Sequence, residues 1–274
     1  MDNKFFTQLH FTDLTAGQVD LLIALLADIG YTGFEEDADT LKAFIPKENF
    51  DSNKLAEMIK IIPATYSILE IEEENWNAQW ESSFQPIVVN EKVAIRADFH
   101  PSFPNMLHEV IITPKMSFGT GHHATTFLMI EQMLGLDLAE TTVLDFGTGT
   151  GILAILAEKM GATSITAIDN DEWSIENAKE NIVANNCSSI QIQKAETIPA
   201  NRQYDIILAN INLSVILANL SAIAVAARPG GQLLFSGCLR SDEAALQIAL
   251  VENGLLPTNT SQKDGWICVS AVKR

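Results

Sequence analysis

The sequence predicts an α/β protein: a doubly wound, mostly parallel sheet preceded by a small α+β domain. Three observations carry this. From about Glu109 onward, strand-length apolar runs alternate with helix-length amphipathic ones, which implies a mostly parallel sheet covered on both faces. One of those strands, ending in Asp145-Phe146, runs straight into a Gly-rich turn that opens a helix. The first seventy-five residues show a different pattern and hold fifteen acidic side chains against five basic ones.

The 274 residues include 35 acidic and 17 basic side chains, a formal charge of −18. With 47% hydrophobic and 19% charged residues the chain can bury a sizeable core, which excludes a disordered acidic tail. Charge of this sign and size argues against unaided binding to phosphate backbones, which takes clustered Lys and Arg. It suits a cationic partner, because opposite fields steer encounter. Cys187, Cys238 and Cys268 are scattered, with neither a disulfide framework nor zinc spacing among them. No basic-then-apolar signal opens the chain. The longest apolar run, 213–227, is broken by Ser214, Asn219 and Ser221 and falls short of the ~20 residues of a membrane span. A cytoplasmic protein is the expectation.

In the N-terminal part, FFTQLHF alternates as a half-buried strand does. Thr15 then opens an apolar-periodic helix carrying Val19, Leu22, Ile23, Leu25 and Leu26, which stops at Gly30. Strands come next at about 31–35 and 40–45, then a helix at about 52–61 and a strand at about 66–72. The order βαββαβ predicts a split-βαβ, ferredoxin-like sandwich. Residues 75 to about 108 include Trp76, Trp80, Phe84, Pro86, Pro101 and Pro104, and read as a connector of short helix, strand pair and loop. Its sparse Gly and Ser predict a limited range of domain orientations. Beyond it, TTVLDF, SITAID, IQIQKA, DIILANI, GQLLFSG and WICVSAV read as strands. Helices are expected at 152–159, 172–185, along the apolar run ending at Arg228-Pro229-Gly230-Gly231, and at 241–252.

The strongest motif is Val143-Leu144-Asp145-Phe146-Gly147-Thr148-Gly149-Thr150-Gly151, a buried strand entering a glycine turn. Glycines let the backbone turn sharply and admit a ligand close to it. Twenty-two residues after Gly147, Asp169 ends the next strand, where a carboxylate can accept from ribose hydroxyls. Together they indicate an adenosine-containing ligand. Gly149-Thr150-Gly151-Ile152-Leu153-Ala154 also satisfies the GxGxxA dinucleotide pattern, so a nicotinamide cofactor stays open. Asp145 counts against it: a carboxylate there would repel a pyrophosphate and favour the ammonium and sulfonium charges of S-adenosylmethionine. The plainer reading of Asp145, a carboxylate taken up by backbone N–H groups, also stands.

Upstream, Ser117-Phe118-Gly119-Thr120-Gly121-His122-His123-Ala124-Thr125-Thr126 leads into a helix and offers hydroxyl and backbone donors to a carboxylate. Adjacent histidines point apart, so His122 and His123 read as polar loop residues rather than metal ligands. Ala209-Asn210-Ile211-Asn212 closes the strand DIILANI and brings Asn210 to the same sheet edge as Gly147 and Asp169. An amide there can accept from an incoming amine and aim its lone pair. A helix-capping asparagine is the alternative, for which Asn212 is better placed.

FGTGHHATT, LDFGTGTG, AIDND, ANIN and RPGG together closely resemble the ribosomal protein L eleven methyltransferase family of class I S-adenosylmethionine-dependent enzymes. The resemblance implies a seven-stranded Rossmann-like methyltransferase sheet in residues 109–274, a substrate-recognition domain in 1–74 and a connector in 75–108. It places cofactor contacts on Thr126, Gly147, Asp169 and Asn210; the residues themselves add Gly149 and Asp145 as cofactor-binding and Asn210 as the catalytic amide that orients the amine. Ala124 stands where the family mostly has Pro, and Thr148 and Thr150 where it often has Cys or Ser; both changes preserve backbone access. The implied reaction is methylation of amino groups, lysine or N-terminal, on a basic large-subunit ribosomal protein. Charge and hydropathy add the expectation of a chain that binds neither nucleic acid nor membrane, and a monomer is expected. An NAD-linked oxidoreductase, a methyltransferase for RNA or a small molecule, and a non-catalytic scaffold are the alternatives.

Overall fold

A computed structural model of the chain describes residues 5–37, 39–72, 84–115, 119–199 and 202–274. It separates into two units, Met1–Phe84 and Gln85–Arg274.

The first unit holds β1 (Phe5–Thr12), α1 (Ala16–Asp28), β2 (Gly33–Asp37), β3 (Thr40–Pro46), α2 (Ser52–Ile61) and β4 (Thr65–Glu72). Its strands form an antiparallel sheet of order β2-β3-β1-β4. In β1, Thr7, Leu9 and Phe11 are buried in strict alternation, so one face of the sheet meets the helices. Leu22 and Leu26 of α1, and Leu55 and Met58 of α2, complete that core. Asp51 caps α2 by accepting from the backbone N–H groups of Asn53 and Lys54.

The second unit begins with β5 (Ile87–Val89), β6 (Val93–Arg96) and β7 (His108–Ile111), a three-stranded sheet in that order. The strand pair expected in the connector is β5 and β6. Because β6 pairs with β7, residues 85–108 group with the second unit rather than standing apart as a connector. The short helix expected around Trp76 and Trp80 lies outside the described residues, as do Ser117 and Phe118.

After α3 (Ala124–Met133) come β8 (Thr142–Phe146), α4 (Ile152–Lys159), β9 (Ser164–Asp169), α5 (Glu172–Ala184), β10 (Ile190–Lys194), β11 (Tyr204–Asn210), α6 (Leu213–Ala226), β12 (Ala227–Leu239), α7 (Glu243–Glu252), β13 (Leu255–Lys263) and β14 (Trp266–Lys273). The seven strands lie in the order β10-β9-β8-β11-β12-β14-β13. Six share one direction, while β14 is antiparallel to both its neighbours, so the sheet is mixed. Both faces are covered: Val143, Leu208 and Leu234 pack into one apolar cluster, and Leu144, Ile207 and Leu233 into the other.

Candidate active site

From β8 the chain builds outward to β9 and β10, then returns to place β11 on the other side of β8. Such a reversal opens a crevice at the carboxyl ends of the two central strands. Phe146 of β8 lies opposite Ala209 of β11, which brings Gly147 and Asn210 to the mouth of that crevice together. A cleft of about 480 Å³ is found there. Gly147, Gly149, Asp169 and Asn210 all line it.

The Gly-rich turn is held from β9. The N–H groups of Gly147 and Thr148 both donate to the Ile168 carbonyl at 2.9 Å. Gly149 N–H donates to Asp169 Oδ2 at 2.9 Å, and Asp171 N–H to Asp169 Oδ1 at 3.0 Å. An ionised carboxylate has about four acceptor positions, so Asp169 retains capacity for ribose hydroxyls. Gly147 adopts φ +77°, and a Cβ there would collide with Ile211 Cγ2. Gly237 has φ +86° and faces the Ile211 carbonyl just as closely. Both glycines are therefore required by close approach as well as by conformation.

Asp145 and Thr126 occupy a different layer. Both are fully buried and neither lines the cleft. Asp145 Oδ2 accepts from the Thr148 hydroxyl at 2.6 Å, and the Ala154 backbone N–H also favours the charged carboxylate, in line with the expectation of a backbone donor. Burial pushes its carboxyl up to about 7, outweighing that hydrogen bond. Thr126 Oγ1 accepts from Asn210 Nδ2 at 3.4 Å, which turns the amide oxygen the other way. Asn210 Oδ1 is buried and has no hydrogen-bond partner. Asn212 is the cap of α6, accepting from Val215 N–H at 3.0 Å, so Asn210 is left to the cleft.

The two histidines diverge, as adjacent side chains do. His123 caps α3, with its Nδ1 beside the Thr125 hydroxyl at 2.8 Å, and its ring meets Trp266 edge-on at 4.7 Å. His122 Nε2 lies 3.0 Å from the Gln85 carbonyl. No metal-binding group of His, Cys, Asp or Glu occurs among the described residues. Sequence reasoning misses Trp266, Ser174, Glu196, Val215 and Gly237, which also line the cleft. The reversal of β14 explains the first: it puts the beginning of that strand, not its end, at the active edge.

A glycine turn at the switch point, a carboxylate ending the second strand, an amide ending the fourth and a reversed seventh strand define an S-adenosylmethionine-dependent methyltransferase. The family model for ribosomal protein L11 methyltransferase (PrmA) matches residues 23–274. The chain is 36% identical to the ribosomal protein L11 methyltransferase of Phocaeicola vulgatus, over 93% of this chain and 94% of that one. It is 40% identical to that of Porphyromonas gingivalis, over 90% and 88%. Among solved structures, ribosomal protein L11 methylase from Lactobacillus delbrueckii subsp. bulgaricus superposes with a TM-score of 0.64 at 29% identity, covering 70% of this chain and all of that one. The chain belongs to the ribosomal protein L11 methyltransferase family. The GxGxxA match therefore does not mark a nicotinamide site. No described helix is long and apolar enough to cross a membrane.

Proposed function

We propose that the chain transfers methyl groups from S-adenosylmethionine to amino groups of ribosomal protein L11, on lysine side chains, the N-terminal α-amine or both. One observation carries the choice of an amine: Asn210 Oδ1, buried at the cleft without a partner. An unmet buried acceptor costs about 1–3 kcal/mol, which an arriving N–H donor relieves. A neutral amine makes that bond and keeps its lone pair free for attack.

The lining fits the cofactor. Asp169 offers the remaining acceptor positions to the ribose, Gly147 and Gly149 admit it against the backbone, and the Gly119–Thr126 loop offers donors to its carboxylate. When bound, the cofactor supplies an electrophilic methyl carbon whose leaving group, a neutral thioether, needs no acid. The remaining work for the protein is alignment and exclusion of water. A lysine ammonium is neutral in only about one part in 2,500 at pH 7, and burial beside a cation lowers its pKa. Its proton passes to water, and Asn210 Oδ1 then holds the amine in line.

In this reading the first unit is a ferredoxin-like sandwich that recognises the basic substrate. More than half of the −18 charge lies in the first seventy-five residues, −10 against −8 for the rest. That distribution favours a protein over RNA, and the reading has a cytoplasmic monomer at work. The test is transfer of labelled methyl into a mixture of ribosomal proteins and ribosomal RNA, with mass mapping of the products. Label on amino groups of ribosomal protein L11 is the expected result. Label in RNA alone overturns the proposal.

A further inference from the structure

Asn177, Asn181 and Asn185 lie four residues apart along α5 and its C-terminal cap, and all three are buried. Four residues of helix advance about 6 Å and two residues of strand about 6.6 Å, so amides at this spacing can stand in for a neighbouring strand. They do so for the chain leaving β7. Asn185 accepts from Ile111 N–H at 2.9 Å and donates to the Ile111 carbonyl at 2.6 Å. Asn181 accepts from Thr113 N–H at 2.8 Å, and Asn177 donates to the Thr113 carbonyl at 3.2 Å.

Asn185 also donates to the Asn181 carbonyl at 2.8 Å, but of the three only Asn181 reaches the Gly-rich turn. Its Nδ2 donates at 2.8 Å to the carbonyl of Thr150, inside the Gly-rich turn. The Thr150 hydroxyl in turn donates to the Gly119 carbonyl at 2.7 Å. One buried amide thus joins the segment that leads into the Gly119–His123 loop to the turn itself. The Asp169–Gly149 bond secures the other side of the turn independently.

We infer that Asn181 is a positioning residue: it sets the spacing between the Gly-rich turn and the Gly119–His123 loop, and with it the grip on the methionine end of the cofactor rather than the adenosine end. The inference rests on the cleft being the S-adenosylmethionine site proposed above. Without the amide, the buried N–H of Thr113 and carbonyl of Thr150 lose their partners, and the Thr150 hydroxyl alone is left to tie the loop to the turn.

The experiment titrates the full chain and its variants with S-adenosylhomocysteine and with adenosine, alongside thermal melts. Asn181→Ala should bind S-adenosylhomocysteine about tenfold more weakly and adenosine within about twofold of the parent. Thr150→Val, which removes only the hydroxyl link, should show the same selectivity, and it carries the test if Asn181→Ala does not fold. Asn185→Ala gives up its bonds to Ile111 and to the Asn181 carbonyl without removing the Asn181 side chain or touching the turn, so it should melt earlier and keep both affinities. Equal losses for the two ligands, or no loss for either, would overturn the positioning role. Failure of the parent chain to bind S-adenosylhomocysteine would instead overturn the reading of the cleft.

Discussion

Asp169 Oδ2 accepts the Gly149 N–H at 2.9 Å, so the residue that ends β9 also fixes the turn that succeeds β8. Asp169→Ala should weaken S-adenosylhomocysteine binding about 100-fold, given about 1.5–3 kcal/mol for each hydrogen bond to a charged group. Asp169→Asn should not rescue it, because one backbone N–H, of Gly149 or Asp171, would then face an amide nitrogen. Calorimetric titration reads both, and near-parental affinity in the Asn variant would count against the shared role.

Gly147 and Ile211 compete for one volume. Gly147→Ala combines about 1–2 kcal/mol of left-handed backbone strain with a collision against Ile211 Cγ2. Thermal melts should show a large drop for Gly147→Ala and partial recovery in Gly147→Ala/Ile211→Ala. The recovery is partial because the second change relieves the collision and leaves φ unaltered. If the two losses simply add, the collision is not the cause.

For Asn210→Ala, turnover should fall about 10–100-fold, with cofactor affinity changed by less than about threefold. This pattern is expected of an acceptor that faces the amine while its amide nitrogen is engaged by Thr126. Steady-state methyl transfer at saturating cofactor measures the first quantity and equilibrium titration the second. Unchanged turnover would remove Asn210 from the mechanism.

Asp145 predicts a pH dependence. Its carboxyl is raised from the ordinary 3.8 to about 7 by burial, so between those values the folded chain binds a proton that the unfolded chain has lost. Stability from this group is therefore full below about pH 4, declines as pH rises toward 7 and is flat above it, by as much as about 4 kcal/mol. Asp145→Asn should flatten that part of the profile whatever its absolute stability. Denaturation midpoints at about pH 4.5, 6 and 7.5 for the two proteins give the comparison, and parallel profiles would refute the assignment.

The acidic strand gives a kinetic prediction. Glu35, Glu36, Asp37 and Asp39 are exposed, and Glu35 is already paired with Lys42 at 3.1 Å. Replacing all four by their amides should slow association with ribosomal protein L11 about 3–10-fold at low salt and reduce its salt dependence. Stopped-flow binding at two ionic strengths tests this, and an unchanged rate would leave the acidity as a solvated surface.

Most of this architecture is legible in the sequence because burial on both sheet faces writes long apolar runs, as in TTVLDF and DIILAN. The exceptions have physical reasons. β13 reads LLPTNTSQK, a polar edge strand with Pro257 beside an irregular register, so neither alternation nor apolarity marks it. In the site, Gly147, Asp169 and Asn210 are visible because strand ends and turn glycines announce themselves locally. Trp266 is not, since its position depends on the direction of β14. The three asparagines of α5 escape for a related reason: polar residues at four-residue spacing look like a solvated helix face until a partner strand is found.

Those asparagines have one more consequence. β7 is the outer strand of its sheet, and the odd-numbered residues beyond Glu109 turn their N–H and carbonyl groups away from β6. Bare groups of that kind invite a strand from another chain. By filling those of Ile111 and Thr113 with uncharged side-chain amides, the three asparagines leave a second molecule's strand nothing to pair with at these two positions.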